Sequence, residues 1–473
     1  MKFHLWLPGV LVLGLTTVVA AESDDLTHLP NLFPFPNATG ILQTFNATGK
    51  LDLTGPFFQS LGTNGRSCAS CHQPSDGWSV SAEHVAERFD RSHGLDPIFR
   101  TNDGSTCDHS IETSTVGGRR HAYSLLRTRG LFRIALSVPA GAEFEVVSVK
   151  NPYGCSESSP LSLYRRPLPS TNLRFLSTVM WDGRESSSQT RTQPITFATN
   201  PTDLLSDLAH QAVDATFGHA QAATPPTAEQ QKKIVEFEMG LTTAQAIDFR
   251  AGALDSHGAS GGPLVLTSQP FYIGINDPLD LNPFKTPFTP VVFTLFTDRW
   301  AHASGHEHEK EHAHHRASIL RGQALFNSRP IHITGVGGLN DVTGIPLIKG
   351  TCGTCHDSFD VGNHSIVAPL NIGISDVTNS WAAEYLPVIT LRNKADGVEV
   401  STTDPGRAMI TGKWADIGKF KGPMLRGLAA RAPYFHNGSA ATLKEAVEFY
   451  NIRFSIGLTH HEIADLAAFL SAL

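Results

Sequence analysis

Cys68-Ala69-Ser70-Cys71-His72 and Cys352-Gly353-Thr354-Cys355-His356 use four of the six cysteines in the chain. In each, two thiols stand one turn apart and a histidine follows the second. That spacing lets a porphyrin's two vinyl groups take thioether bonds while the imidazole reaches the iron from one face. Zinc half-sites and dithiol redox couples also use Cys-x-x-Cys. A zinc centre requires four converging ligands, however, and a redox dithiol has no need of a histidine directly after its second sulfur. Two full copies of the pattern in a chain this poor in cysteine predict two covalently bound haem c groups. Cys68, Cys71, Cys352 and Cys355 are the attachment points, and His72 and His356 the iron ligands.

The compartment follows from the start of the chain. Lys2 precedes an apolar run from Leu5 to Ala21, broken by Pro8, Gly9 and Gly14 and closing on Val19-Ala20-Ala21. This reads as a secretory signal peptide over residues 1–21 and a periplasmic protein. No later stretch approaches the roughly 18 to 20 apolar residues of a membrane span, so the mature chain is not expected to be membrane-spanning. The two remaining cysteines, Cys107 and Cys155, are expected to pair in an oxidising compartment. With 37 Lys+Arg against 44 Asp+Glu, the chain is acidic, which argues against nucleic acid and for a small redox protein with a positive face. No oligomeric state follows from the sequence.

The elements that must hold these sites are mostly helical in texture. Residues 81–89 form a short helix capped by Ser81, and 204–215 and 228–239 are helical. Residues 22–60 read as an extended strap, with Asn37 and Asn46 in two Asn-Ala-Thr-Gly turns that also fit a glycosylation sequon. Residues 143–150 alternate and are β-branched, predicting a β-hairpin inserted among helices. Between 240 and 300 prolines and glycines recur without periodicity, as in a connecting wrap without a core of its own. From His302 to His315 six of the 22 histidines crowd a solvated linker or helix start, a composition that also suits metal scavenging. Ile319, Leu320, Gly322, Leu325 and Phe326 then form an amphipathic helix ahead of the second motif. Capping boxes at Thr442-Leu443-Lys444-Glu445 and Thr459-His460-His461-Glu462 open the last two helices. The expected fold class is mainly α: two cytochrome c-like haem domains with a small β-hairpin insertion and long loops.

Three stretches resemble the bacterial di-haem cytochrome c peroxidase family, including its MauG-type members. They are Trp181-Asp182-Gly183-Arg184; Phe420-Lys421-Gly422-Pro423-Met424-Leu425-Arg426-Gly427-Leu428 running into Ala432-Pro433-Tyr434-Phe435-His436-Asn437-Gly438-Ser439; and 441–450 with the final helix. The resemblance implies a peroxidatic haem domain over 22–300, a His-rich linker over 301–317 and an electron-transfer haem domain over 318–473. It implies hydrogen peroxide as substrate, a small cytochrome or cupredoxin as electron donor, and it admits a calcium ion between the domains.

The same resemblance places Trp181 between the haems, as an electron relay or as a packed interface indole. Tyr450, 14 positions after His436, falls where peroxidases carry a methionine ligand and MauG-type enzymes a tyrosine; Met409 and Met424 are the other candidate sixth ligands of the second iron. Gln211 matches the family's distal glutamine, but ten positions on stands Gln221 in place of a glutamate. An amide cannot carry a proton and an imidazole can, which makes His219 the substitute. His84 and His93 are candidates for a histidine that blocks the first haem. The missing glutamate also suits an electron carrier without peroxide turnover, and the MauG-type branch would oxidise a protein or organic substrate.

Overall fold

A computed structural model describes residues 27–107, 111–155, 160–185, 201–279, 284–302, 307–379, 381 and 383–473, the side chains of 201–202 and 307–311 excepted. The leader read over 1–21 lies outside the described residues, as do residues 303–306 of the histidine-rich tract. Among the described residues no helix is long and apolar enough to cross a membrane.

The segment read as a strap is instead a sheet. Gly40–Asn46 buries alternate residues and pairs antiparallel with Leu241–Asp248, which lies in the stretch expected to have no core. Phe35–Asn37 and Gly252–Ala253 complete four strands. A bulge at Ile41/Leu42 brings Gly40 so close to Ile247 that a Cβ would lie 1.9 Å from its carbonyl oxygen, so only glycine fits. The two Asn-Ala-Thr-Gly copies are Asx turns: Asn37 Oδ1 accepts the N–H groups of Thr39 and Gly40, and Asn46 Oδ1 that of Thr48. Inside the sheet Thr44 and Thr243 share a hydroxyl hydrogen bond of 2.9 Å, and Thr44 Oγ1 accepts the Trp78 indole N–H at 2.9 Å. Residue 78 is thereby pinned beside the first haem motif.

The strand at 143–150 exists, as Phe144–Lys150, but it is not half of a local hairpin. It pairs antiparallel with Val388–Asn393 from the other half of the chain, which pairs in turn with Glu399–Thr402. Phe144, Leu161, Leu163, Ile389, Leu391 and Met409 fill the core behind this sheet. Residues 90–173 also hold the helices Val116–Ala122 and Ser124–Arg129 and an antiparallel pair, Phe132–Leu136 with Leu161–Arg165. Cys107 and Cys155 are joined as a disulfide with a Cα–Cα distance of 5.6 Å.

Twelve α-helices and thirteen strands in five small sheets occupy the described residues. The expected mainly α class, with two cytochrome c-like domains and one inserted hairpin, is therefore overturned: the chain mixes α and β throughout. The cause is physical. Most of these strands are too short to show a period, and several find their partners a hundred or more positions away, where no local pattern announces them.

The helices were better announced. Ser81 Oγ caps Ala82–Ser92 by accepting the His84 N–H. Pro201–Gly218 and Ala228–Gly240 cover the two expected helical stretches. The histidine-rich tract runs into the helix Glu307–Ser328, with His312 Nδ1 against Arg250 O at 2.8 Å and His315 Nε2 3.5 Å from Asp248. That helix crosses the terminal helix His460–Ser471 at Gly322, where a Cβ would lie 2.1 Å from Asp465 O. Phe293, Phe326 and Phe469 meet edge to face beneath the crossing. Thr459 and Glu462 form a complete capping box. In the other, Thr442 accepts the Glu445 N–H, while Glu445 reaches the Ala441 N–H instead of closing on Thr442.

Candidate functional site

Ser67 starts the first motif. Its side chain and that of Ser70 cap the turn Cys68–Ser70 reciprocally, and the His72 N–H donates to Cys68 O at 3.0 Å. One turn of backbone thus presents Cys68, Cys71 and His72 together, and all three line a cleft with about 1480 Å³ of empty space, mouth included. Trp181, and Gln211 and His219 from the helix Pro201–Gly218 and its end, line the same cleft. Burial pushes the Cys68 thiol up to about 12 and Cys71 up to about 11, and pushes His72 down to about 4. His72 Nδ1 lies 2.9 Å from Trp78 O and 3.0 Å from Ser170 Oγ, so Nε2 is the nitrogen left for a metal.

A covalent haem fits these residues. Besides the thiols and the imidazole, a haem brings two carboxylates, and the cleft wall offers cations for them. Lys421 is buried there with its Nζ on Thr178 O at 3.2 Å and no carboxylate partner among the described residues. Burial, with Arg431 nearby, pushes it down to about 7. Arg426 and Arg431, on the same stretch but outside the cleft lining, each bond backbone carbonyls through Nη2 while Arg426 Nε and Nη1 and Arg431 Nε are buried without a partner. Isolated buried cations are costly, and an anionic ligand would compensate them.

Two carboxyl groups had no signal in the sequence: Asp103, behind the cleft-lining Arg66 and His219, and Glu238, on the cleft wall. His219 Nδ1 meets Asp103 Oδ2 at 2.6 Å, and Asp103 Oδ1 meets Arg66 Nη1 at 2.5 Å. Burial works against the Asp103 charge, yet Arg66 and His219 together hold its carboxyl below the usual range. His219 itself is 41% exposed, so its imidazole touches both the buried carboxylate and solvent. The second group is Glu238, buried on the cleft wall, with burial pushing its carboxyl up to about 7 and Oε2 without a partner. Gln221 is turned away from the cleft, with Asn64 on its side-chain oxygen. His84 is held by Asp76 at 2.5 Å, and neither it nor His93 lines the cleft.

The second motif is built the same way. Thr351 and Thr354 cap the turn Cys352–Thr354, and His356 Nδ1 lies 2.7 Å from Gly362 O. Burial pushes both thiols up to about 12. Tyr450 packs in one cluster with Cys352 and Cys355, its ring centroid 6.5 Å from that of His356, and burial pushes its phenol above the ordinary range. The two methionines are elsewhere. Met409 sits in the core behind the sheet of Phe144–Lys150, and Met424 lines the first cleft.

Aromatic rings lie between the first cleft and the second motif. Trp181 donates its indole N–H to Arg166 O at 2.8 Å and lies 6.0 Å from the His436 ring, which stacks on Phe420 at 4.0 Å. The adjacent Phe435 lies 6.0 Å from Tyr450. Trp181 is held from behind by its neighbour Asp182, which shares Arg165 with Asp404.

No protein-family profile matches the chain. Over 144 residues it is 40% identical to the cytochrome-c peroxidase IdrP1 of Denitromonas iodatirespirans, covering 26% of this chain and 37% of that protein. Over 136 residues it is 40% identical to the cytochrome c551 peroxidase of Nitrosomonas europaea, covering 28% and 34%. A solved structure of a MauG-like protein associated with microbial copper homeostasis aligns over 88% of this chain and 87% of its own, at 16% identity and a TM-score of 0.35. The chain spans about a third of the length of the curated relatives it matches. Those relatives are bacterial cytochrome c peroxidases, the family that the three sequence stretches resemble.

Proposed function

We propose that this chain, whose matched segments resemble bacterial cytochrome c peroxidases, is a periplasmic di-haem peroxidase. Hydrogen peroxide would be reduced at the His72 site, with electrons from a small redox protein entering at the His356 site. The observation that carries the reading is the single cleft that gathers Cys68, Cys71, His72, Trp181, Gln211 and His219. A bound haem supplies the iron at which the O–O bond is cleaved, so that peroxide, two electrons and two protons give two waters.

The chain's own residues would bind peroxide, move protons and conduct. Gln211 offers an amide that can hydrogen-bond to peroxide without changing charge. His219 does the proton work that the family gives to a glutamate. Asp103 fixes its Nδ1, the other nitrogen is left to exchange a proton, and its exposed edge recharges from solvent. Trp181 starts the ring path through His436, Phe435 and Tyr450 toward His356. Tyr450 is the proposed sixth ligand of the second iron, since Met409 and Met424 both lie away from Cys352 and Cys355. A phenolate ligand favours oxidised iron. That single placement favours, as a second reading, the MauG-type use of the oxidising equivalents on a larger substrate.

The test is steady-state peroxide consumption with a reduced small cytochrome as donor, on protein shown by mass spectrometry to carry two haems. General acid–base groups contribute roughly a hundred- to ten-thousand-fold, so His219→Gln should lower kcat by at least about a hundred-fold, with haem content unchanged. Turnover at the wild-type rate in that variant would refute the assignment of His219. Two haems that exchange electrons without consuming peroxide would make the chain a carrier.

A further inference from the structure

Glu238 stands in the last turn of the helix Ala228–Gly240, is 5% exposed, and has no cationic partner among the described residues. Each of these facts makes a glutamate expensive there. The helix C-terminus carries partial negative charge, and a buried carboxyl without a full set of partners is poorly solvated. Glu238 and Ser170 line the same cleft, and the Ser170 side chain is the neighbour that works against the effect of burial on the Glu238 carboxyl. Ser170 is itself buried and held by its backbone N–H on Trp78 O at 2.9 Å, and its Oγ lies 3.0 Å from His72 Nδ1.

We infer that Glu238 is a positioning residue for the first haem, acting through the Ser170 hydroxyl on the His72 imidazole. The inference rests on His72 being the iron ligand proposed above. With Nε2 reserved for iron, Nδ1 carries the hydrogen and donates it to Trp78 O and to Ser170 Oγ. Ser170 in turn donates its hydroxyl hydrogen to the Glu238 carboxylate. Negative charge at the far end polarises the hydroxyl, strengthens its acceptance from Nδ1–H, and makes Nε2 a stronger electron donor. A more donating ligand stabilises the oxidised iron.

The second site lacks this chain. Among the described residues His356 Nδ1 meets only a backbone carbonyl, Gly362 O, and no side chain is bonded to it. Two identical attachment motifs are thus given different ligand strengths by what stands behind the histidine. The first iron is biased toward its oxidised forms, as a site that must deliver oxidising equivalents requires.

The experiment is redox titration of the holoprotein in mildly alkaline buffer, following both haems, for Glu238→Gln, Ser170→Ala and the double variant. Glu238→Gln should raise the midpoint potential of the first haem by a tenfold change in the ferric/ferrous equilibrium, about 59 mV for one electron, and leave the second haem unmoved. In the Ser170→Ala background the same substitution should lose most of that shift, because the link is already cut. Glu238→Asp, with a shorter reach but the same charge, should restore part of it. An unchanged first-haem potential in Glu238→Gln with two haems attached would overturn the inference alone. An equal shift with and without Ser170 would also overturn it, by showing a field effect that needs no relay. Wild-type protein without haem would overturn the proposed function together with it.

Discussion

Arg165→Met tests the buried charge cluster that stands behind Trp181. Arg165 is 3% exposed and bonds two carboxylates: Nη1 to Asp182 Oδ2 at 2.5 Å, Nε to Asp404 Oδ2 at 2.6 Å and Nη2 to Asp404 Oδ1 at 2.9 Å. Asp182 keeps a second cation, Arg184, at 3.0 Å, whereas Asp404 would keep chiefly the Gly406 N–H at 2.8 Å. Removing one member of a buried ion cluster leaves uncompensated charge and costs about 3–5 kcal/mol. The expected loss near neutral pH lies in that range, with most of it falling on Asp404.

The pH dependence gives a second handle on the same variant. In the wild type, burial opposes the Asp182 charge, but Arg184 and Arg165 hold its carboxyl well below the carboxylate range. The folded value is thus below the unfolded one. Its stabilising contribution is present above the unfolded value near 3.8 and is lost only as pH falls toward the depressed folded value. Without Arg165 the Asp182 carboxyl keeps only Arg184, so its folded value moves back up toward the unfolded one and less of that contribution remains to be lost. Acidification should therefore narrow the gap between variant and wild type, by up to about 1.4 kcal/mol per pH unit for one proton. Asp404→Asn added to Arg165→Met should recover part of the loss. The assay is guanidinium denaturation of the holoprotein followed by far-UV circular dichroism at neutral and acid pH. A loss below about 1 kcal/mol, or a gap that widens on acidification, would refute the reasoning.

Three further outcomes are expected. Helix propensity alone favours Gly322→Ala by about 1 kcal/mol, yet the new Cβ would meet Asp465 O at 2.1 Å; a net loss of about 1–2 kcal/mol in the same assay is expected, and a gain would show the helix crossing to be loose. Cys107→Ser with Cys155→Ser opens a disulfide spanning a sequence separation of 48, worth about 4 kcal/mol by loop entropy, and should lower the denaturation midpoint accordingly without changing haem content. Tyr450→Phe should leave the fold intact but change the visible spectrum and potential of one haem, and Tyr450→Met should raise that potential; if neither haem changes in either variant, Tyr450 is only a packed aromatic.

What the sequence determined by itself was short-range. The spacing that brings two thiols and a histidine onto one turn is written in adjacent residues, so Cys68-Ala69-Ser70-Cys71-His72 and its second copy were legible without a fold. Helices repeat every few residues, so Ala82–Ser92, Pro201–Gly218, Ala228–Gly240 and the terminal pair were visible as periods and caps. Tertiary structure decided what depends on distant partners. The strand Phe144–Lys150 alternates as expected, but nothing in its own residues points to Val388–Asn393. Asp103 reaches His219 across 116 positions, and Glu238 lines the cleft of His72 and Ser170 from far along the chain, so neither carboxyl carries a local signature. Where Tyr450, Met409 and Met424 lie was likewise a matter of place rather than residue type. All three can bind iron, and only the packing of the helix Leu443–Arg453 against Cys352 and Cys355 separates them. Backbone spacing fixes contacts within a turn or two; beyond that, burial and the pairing of polar groups choose the neighbours.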